Sequence, residues 1–216
     1  MRQSKFFETT LKEAPKDEVS VNSNLLIRGA FIEKTGAGIY SFLPLGLKVL
    51  NKIENIVREE MIAVGGREIL MPALHPKEYW EKTGRWGDFD ALYKIKAREG
   101  KEYALGATHE EIIVPLVKKF LSSHKSLPFS LFQIQTKFRD EPRAKSGLLR
   151  GREFLMKDLY SFHKDKEDLE KYYDEVAEAY RKIFEKCELK ALQTEASGGT
   201  FSKLSHEFQA LTPSGE

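Results

Sequence analysis

The chain has 216 residues, 41% of them hydrophobic and 31% charged, enough to enclose a proper core within the size range of one globular domain. A formal charge of +2 is too small to specify a nucleic-acid partner, and the single cysteine, Cys187, excludes an internal disulfide framework and a Cys-rich zinc site. The longest apolar runs are too interrupted for a secretory signal or a membrane span, so a cytoplasmic location is expected, and His75, His109, His124, His163 and His206 lack paired metal-ligand spacing, so no protein-bound metal is expected.

In chain order, MRQSKFFETTLKEAPKDEV reads as a polar entry arm. In GIYSFLPLGLKVLNKIENIVREEMIAVGGREILMPAL, residues Leu47, Leu50, Ile53, Val57, Met61 and Val64 recur at helical spacing until Gly65-Gly66 stops the helix, and EILMPAL then reads as a buried strand. The following segment carries Trp80 and Trp86 among Gly and Asp and is expected to be a loop. In ALGATHEEIIVPLVKKF, Thr108 with Glu111 three residues later forms a capping box at a helix start, and Pro115 would kink that helix.

The stretch LFQIQTKFR (131–139) alternates: Phe132, Ile134 and Phe138 form an apolar face, and Gln133, Gln135, Lys137 and Arg139 a polar one that should be wet. If the residues beyond the intervening basic loop are also extended, intervals of four put Arg150, Phe154 and Asp158 in one line. Residues 137–157 carry seven Lys or Arg against three acids, so this long-looped hairpin suits an anion. Asp165 caps a second helix over 165–187 with a stripe of Leu169, Tyr172 or Tyr173, Val176, Tyr180 and Ile183. SHEFQAL then reads as a strand with His206 and Phe208 on one face. The composite is an α+β domain, a mostly antiparallel β-sheet flanked by helices.

The run Phe138-Arg139-x-Glu141 followed by Arg150, Phe154 and Asp158 resembles motif 2 of the class II aminoacyl-tRNA synthetases, over about 131–163, and GLLRGREFLMKDLYSFH is similar to the bacterial type of prolyl-tRNA synthetase. The helix, double glycine and Pro72 over about 38–76 resemble motif 1, and Thr108-His109-Glu110-Glu111 resembles the Thr-His-Glu-Glu signature of the prolyl enzymes. The resemblance implies activation of L-proline with ATP and its transfer to tRNA(Pro). For ATP it implies Arg139, Glu141 on the adenine amino edge, Arg150 on the outer phosphates, Gly151, and Phe154 stacked on the purine, with Mg²⁺ accompanying the nucleotide. For proline it implies Thr108, Glu110, Arg139, Asp158, Tyr160 and His206, with Gly198-Gly199 lining the site. Arg139 is the expected catalytic residue, bridging the proline carboxylate and the α-phosphate.

The resemblance also implies a homodimer through the motif 1 region and no membrane partner. Residues 1–216 correspond to the N-terminal part of the catalytic domain: motif 3, the editing insertion and the anticodon-binding domain have no counterpart, so an incomplete class II fold, inactive alone, is expected. Two alternatives are a threonyl- or seryl-type class II synthetase and a noncatalytic synthetase-like binding or regulatory module.

Overall fold

A computed structural model describes residues 5–13, 15–16, 18–144, 146–196 and 205–212. Its centre is a long antiparallel hairpin, strands β7 (Phe129–Phe138) and β8 (Glu153–Phe162), in register from Phe129 opposite Phe162 to Phe138 opposite Glu153. A short strand β3 (Gly66–Glu68) joins the free edge of β7 in parallel, Gly66 opposite Ser130. This parallel pair departs from an otherwise antiparallel arrangement, and the fold remains α+β with helices on both faces.

One face of the hairpin carries Phe132, Ile134 and Leu159. Helices α2 (Pro44–Ala63) and α6 (Lys166–Lys186) cover it, and Met61, Phe132, Ala179 and Ile183 form its buried centre. Pro44 starts α2 where its missing N–H costs nothing, and Asp165 caps α6 by accepting from the Asp168 N–H at 2.9 Å. At the end of α2, Gly65 adopts φ +81°, and a Cβ on Gly66 would lie 2.7 Å from the Met61 carbonyl oxygen, so the double glycine lets the chain double back onto the sheet. The stripe expected on α2 is only partly enclosed: Met61 is buried, while Leu47 and Ile53 stay exposed, as does Val49 beside them.

The other face carries Leu131, Tyr160 and the stacked pair Phe129–Phe162, whose centroids are 5.1 Å apart; it packs on Ile113 and Val117 of helix α5 (Glu110–Phe120) and on Met71. Pro115 lies inside α5, which is continuous across it. EILMPAL is not the single buried strand its composition suggests: β3 ends at Glu68, residues 69–73 are irregular, and β4 (Leu74–Pro76) pairs elsewhere, with β6 (Glu102–Leu105). Leu70 is exposed. The reason is tertiary, since side chains of β7 hold the backbone of Met71, as described below.

The loop expected around Trp80 and Trp86 contains helices α3 (Lys77–Lys82) and α4 (Arg85–Asp88) and strand β5 (Lys94–Lys96), which pairs with β6. Trp80 is fully buried there with Leu92, Ala104 and Ala107. Near the N-terminus, helix α1 (Val21–Arg28) precedes a small hairpin of β1 (Ile32–Gly36) and β2 (Ile39–Phe42). Asn22 of α1 donates to the Ser146 carbonyl at 2.6 Å and accepts from the Leu148 N–H at 3.3 Å, tying α1 to the basic loop between β7 and β8. Strands β9 (Ala191–Ala196) and β10 (Ser205–Ala210) form a separate antiparallel pair beside α6.

Candidate active site

The polar face of β7 is not wet. Gln133 and Lys137 are both fully buried, because α5 and residues 69–73 roof the side of the sheet on which they stand. The register sets Gln133 opposite Asp158 and Lys137 opposite Phe154. The Lys137 ammonium pairs with Asp158 Oδ1 at 2.8 Å, while Asp158 Oδ2 accepts from Gln133 Nε2 at 2.9 Å and from the Tyr160 hydroxyl at 2.8 Å. Burial pushes the Lys137 ammonium below its ordinary range, and the adjoining carboxylate opposes that fall. Burial also raises the Tyr160 phenol, reinforced by the charges of Glu110 and Asp158.

Above this floor lies the start of α5. The Gly106 carbonyl accepts from the Phe138 N–H at 3.1 Å, which docks residues 106–108 against the end of β7. The Thr108 hydroxyl then donates to the Glu110 carboxylate, and the His109 N–H donates to the Tyr160 oxygen at 3.1 Å. The expected capping box does not form. His109 occupies the N-cap position without a side-chain cap, and Glu111 points away to accept from Arg85 Nη1 at 2.7 Å and the Thr83 hydroxyl at 3.1 Å. A buried carboxylate gains more from a guanidinium than from a backbone N–H, so the ion pair wins. Arg85 Nη1 also lies 3.7 Å from Glu110.

Two buried imidazoles stand behind this segment. His75 Nε2 and His109 Nε2 are each 3.0 Å from the Pro72 carbonyl, and their rings meet edge to face with centroids 4.5 Å apart. One carbonyl satisfies both only when each ring carries its proton on Nε2, and burial lowers each to a pKa of about 4, which makes both neutral Nε2–H tautomers at neutral pH.

Arg139 lies at the open end of the site. Its guanidinium sits over the Phe154 ring, 5.4 Å from the centroid, and Nε donates to the Ala107 carbonyl at 3.4 Å. Phe154, Asp158 and Tyr160 share one face of β8, as period two requires. Arg150 does not join that line: residues Gly147–Leu149 form a turn of 3₁₀ helix and the strand begins only at Glu153, so Arg150 belongs to the loop, where it pairs with Glu141 at 3.1 Å. At Gly151 an added Cβ would lie 3.1 Å from the Gly38 carbonyl oxygen, which also accepts from the Arg152 N–H at 2.8 Å.

The structure therefore brings together Thr108, Glu110, Arg139, Phe154, Asp158 and Tyr160, with Glu141, Arg150 and Gly151 at the loop beyond. It does not bring His206. That residue is on β10, across the sheet, with Nδ1 3.0 Å from the Tyr173 hydroxyl of α6. The pairing of β10 with β9 beside α6 holds it there. Gly198 and Gly199 lie outside the described residues. Sequence reading missed Lys137, Gln133, Arg85, His75 and His109; the signal for Lys137 was its strand parity with Arg139. Among the described residues no group of three or more His, Cys, Asp or Glu could hold a metal ion, and no helix is long and apolar enough to cross a membrane.

Arg139 thus stands beside the paired Thr108 and Glu110, on a long antiparallel hairpin with a basic loop. The chain belongs to the class II tRNA synthetases: the family described as tRNA synthetase class II core domain (G, H, P, S and T) matches residues 93–216. Within that class it is similar to proline–tRNA ligases, 50% identical to that of Bacillus cytotoxicus and 52% to that of a Sulfurihydrogenibium species, each over the whole of this chain. It spans only 38% and 39% of those proteins' lengths. The fold resembles prolyl-tRNA synthetase from Cryptosporidium parvum, solved with L-proline and AMP, with TM-score 0.79 and 17% identity over 89% of this chain and 40% of that one. It also resembles the Giardia lamblia enzyme in complex with prolyl-adenylate, with TM-score 0.79 and 22% identity over 86% of this chain and 40% of that one.

Proposed function

We propose that this chain supplies the ATP- and proline-binding part of a proline–tRNA ligase. The observation that carries the reading is the approach of Arg139 to Ala107, which sets a planar cation one residue from the Thr108–Glu110 pair. An amino acid has an ammonium and a carboxylate a few ångströms apart, and proline's secondary ammonium presents two protons. Thr108 and Glu110 suit the ammonium, and Arg139 suits the carboxylate.

In the proposed reaction a proline carboxylate oxygen attacks the α-phosphorus of ATP and the bond to pyrophosphate breaks, giving prolyl-adenylate. A ribose hydroxyl at the 3′ end of tRNA(Pro) then attacks the prolyl carbonyl and AMP leaves. No covalent enzyme intermediate is needed, so the chain's work is positioning and charge stabilisation. Arg139 bridges carboxylate and α-phosphate, Phe154 stacks on adenine, Glu141 accepts from its amino group, and Arg150, with the Gly151 backbone beside it, meets the outer phosphates. Mg²⁺ travels with ATP, held by phosphate oxygens and water. Asp158 and Tyr160 form the floor of the proline site. His206, held beside Tyr173 of α6, is left out of this set. Homodimerisation through residues 38–76, favoured by the exposed Leu47, Val49 and Ile53 on α2, and a cytoplasmic location complete the reading.

The test is amino-acid-dependent exchange of pyrophosphate into ATP by the full-length protein, with each of the twenty amino acids in turn. Exchange confined to proline, followed by charging of tRNA(Pro), is the expected result. Exchange driven by threonine or serine, or by no amino acid, would overturn it.

A further inference from the structure

The floor of the site is a closed circuit. The Met71 N–H donates to Gln133 Oε1 at 3.1 Å, Gln133 Nε2 donates to Asp158 Oδ2 at 2.9 Å, and the Tyr160 hydroxyl donates to the same oxygen at 2.8 Å. The His109 N–H donates to Tyr160 at 3.1 Å, and His109 Nε2 donates to the carbonyl of Pro72, next to Met71, at 3.0 Å. Three separate parts of the chain meet here: the segment after β3, the start of α5 and the β7–β8 hairpin. The circuit turns on one carboxylate, and among the described residues the cation in ion-pair contact with it is Lys137, on Oδ1 at 2.8 Å. The Lys137 side chain is 0% exposed and that of Asp158 is 10% exposed.

Asp158 Oδ2 is filled by two protein donors, Oδ1 is buried in ion-pair contact with the Lys137 ammonium, and the Tyr160 hydroxyl both donates and accepts within the circuit. We propose that Lys137 is a positioning residue for the amino acid, which by balancing the Asp158 charge beneath Glu110 fixes Thr108 and Glu110 over the hairpin. Asp158 and Tyr160 then act through the circuit rather than on the ligand. This rests on the ligase reading of the site and refines it.

The groups that face the pair are Glu110 of α5 and His109 at its N-cap, His75 of β4, Arg139 just past β7 and Tyr160 of β8. Without Lys137, a buried Asp158 close to Glu110 is favoured in its protonated form. A proton taken up on Oδ1 leaves Oδ2 accepting from Gln133 and Tyr160, whereas an ionised Asp158 without its counter-charge repels Glu110 and displaces it together with Thr108.

The experiment uses the full-length protein and the variants Lys137→Met and Lys137→Met/Asp158→Asn. The single variant should raise the proline KM roughly tenfold or more while moving the ATP KM less than about threefold. Its proline KM should also gain a dependence on pH, from an added ionisation that the unsubstituted protein lacks. The double variant removes both charges but keeps an acceptor for Gln133 and Tyr160, so the proline KM should return to within about threefold and the added ionisation should vanish. A merely space-filling lysine would give no such rescue. An unchanged proline KM in the single variant, or a double variant no better than the single, overturns the proposal.

A second readout needs no substrate. In Lys137→Met the buried Asp158 carboxylate has lost its counter-charge, so the variant's unfolding free energy relative to the unsubstituted protein should decline as pH rises from about 4 to neutral, and the double variant should lose that decline. Its absence overturns the role of Lys137 even if proline proves to be the wrong amino acid, whereas failure of exchange in the unsubstituted protein counts against the ligase reading alone. Should Lys137→Met not fold, Lys137→Gln, which keeps a donor for Oδ1 without the charge, takes its place in the same comparisons.

Discussion

Arg85 and Glu111 form an ion pair of 2.7 Å in which the carboxylate is wholly buried, while Glu110, next along the chain and 3.7 Å from the same guanidinium, keeps its side chain 41% exposed. Adjacent glutamates thus have opposite duties. Glu111 pins α5 to the α3–α4 region, and Glu110 faces the cleft.

This separation predicts different losses for the two glutamine variants. Glu111→Gln leaves Arg85 facing a neutral amide and should lower the unfolding free energy by about 2–4 kcal/mol, read by urea denaturation. Glu110→Gln should change stability by about 0.5 kcal/mol or less, since it sits at a solvated position, yet raise the proline KM strongly. A Glu111→Gln protein as stable as its parent would remove Arg85 from this account.

At the far end of the site, Glu141 and Arg150 hold each other at 3.1 Å, and Arg150 is 48% exposed. Pairs this open contribute about 1 kcal/mol at most, so ATP can displace one partner from the other. Arg150→Ala should therefore leave the melting temperature nearly unchanged, weaken binding of ATP and spare that of adenosine. Phe154→Ala should weaken both nucleotides and spare proline. Calorimetric titration with the three ligands distinguishes these outcomes from a hairpin that has merely loosened.

Acid should destabilise the protein through His75 and His109. Each has an ordinary pKa of 6.5 that burial lowers to about 4. Between those values the unfolded chain binds more protons than the folded one, so stability rises with pH across that window and is lost as pH falls through it. The loss for the pair is on the order of 3–5 kcal/mol. His109→Gln keeps a donor for Pro72 but does not titrate, and should roughly halve the slope of unfolding free energy against pH.

Gly38 supports the basic loop from below. It adopts φ +73°, and an added Cβ would lie 2.5 Å from Ala144 Cβ and 2.9 Å from the Arg152 nitrogen. Gly38→Ala should cost about 1–3 kcal/mol through backbone strain and displacement of the loop. ATP affinity should fall with it and proline affinity should not, because the affected backbone borders Gly151 and not Thr108.

Local rules sufficed where a residue's environment was local. Period two placed Phe154, Asp158 and Tyr160 on one face of β8, helical periodicity found α2 and α6, and Asp165 caps as its position suggests. They failed where a distant segment intervened. Lys137 and Gln133 read as wet because nothing within LFQIQTKFR announces the roof that covers them. Glu111 read as half of a capping box because its partner Arg85 lies in a different helix. The line from Arg150 to Asp158 broke because the strand starts three residues later than Arg150. The assignment of His206 to the proline site depended on wording alone, without a geometric constraint to carry it.

The parallel seam between β3 and β7 bears on the order in which the molecule assembles. The β7–β8 hairpin closes around its own loop, whereas Gly66 must find Ser130 across a long intervening stretch that includes α3, α4 and all of α5. Closing that stretch carries the larger entropic cost before any contact offsets it. The hairpin that holds Arg139 and Phe154 can therefore form in an early nucleus, and the seam that brings in α2 condenses onto it afterwards. Substitutions in β3 should then speed unfolding more than they slow folding.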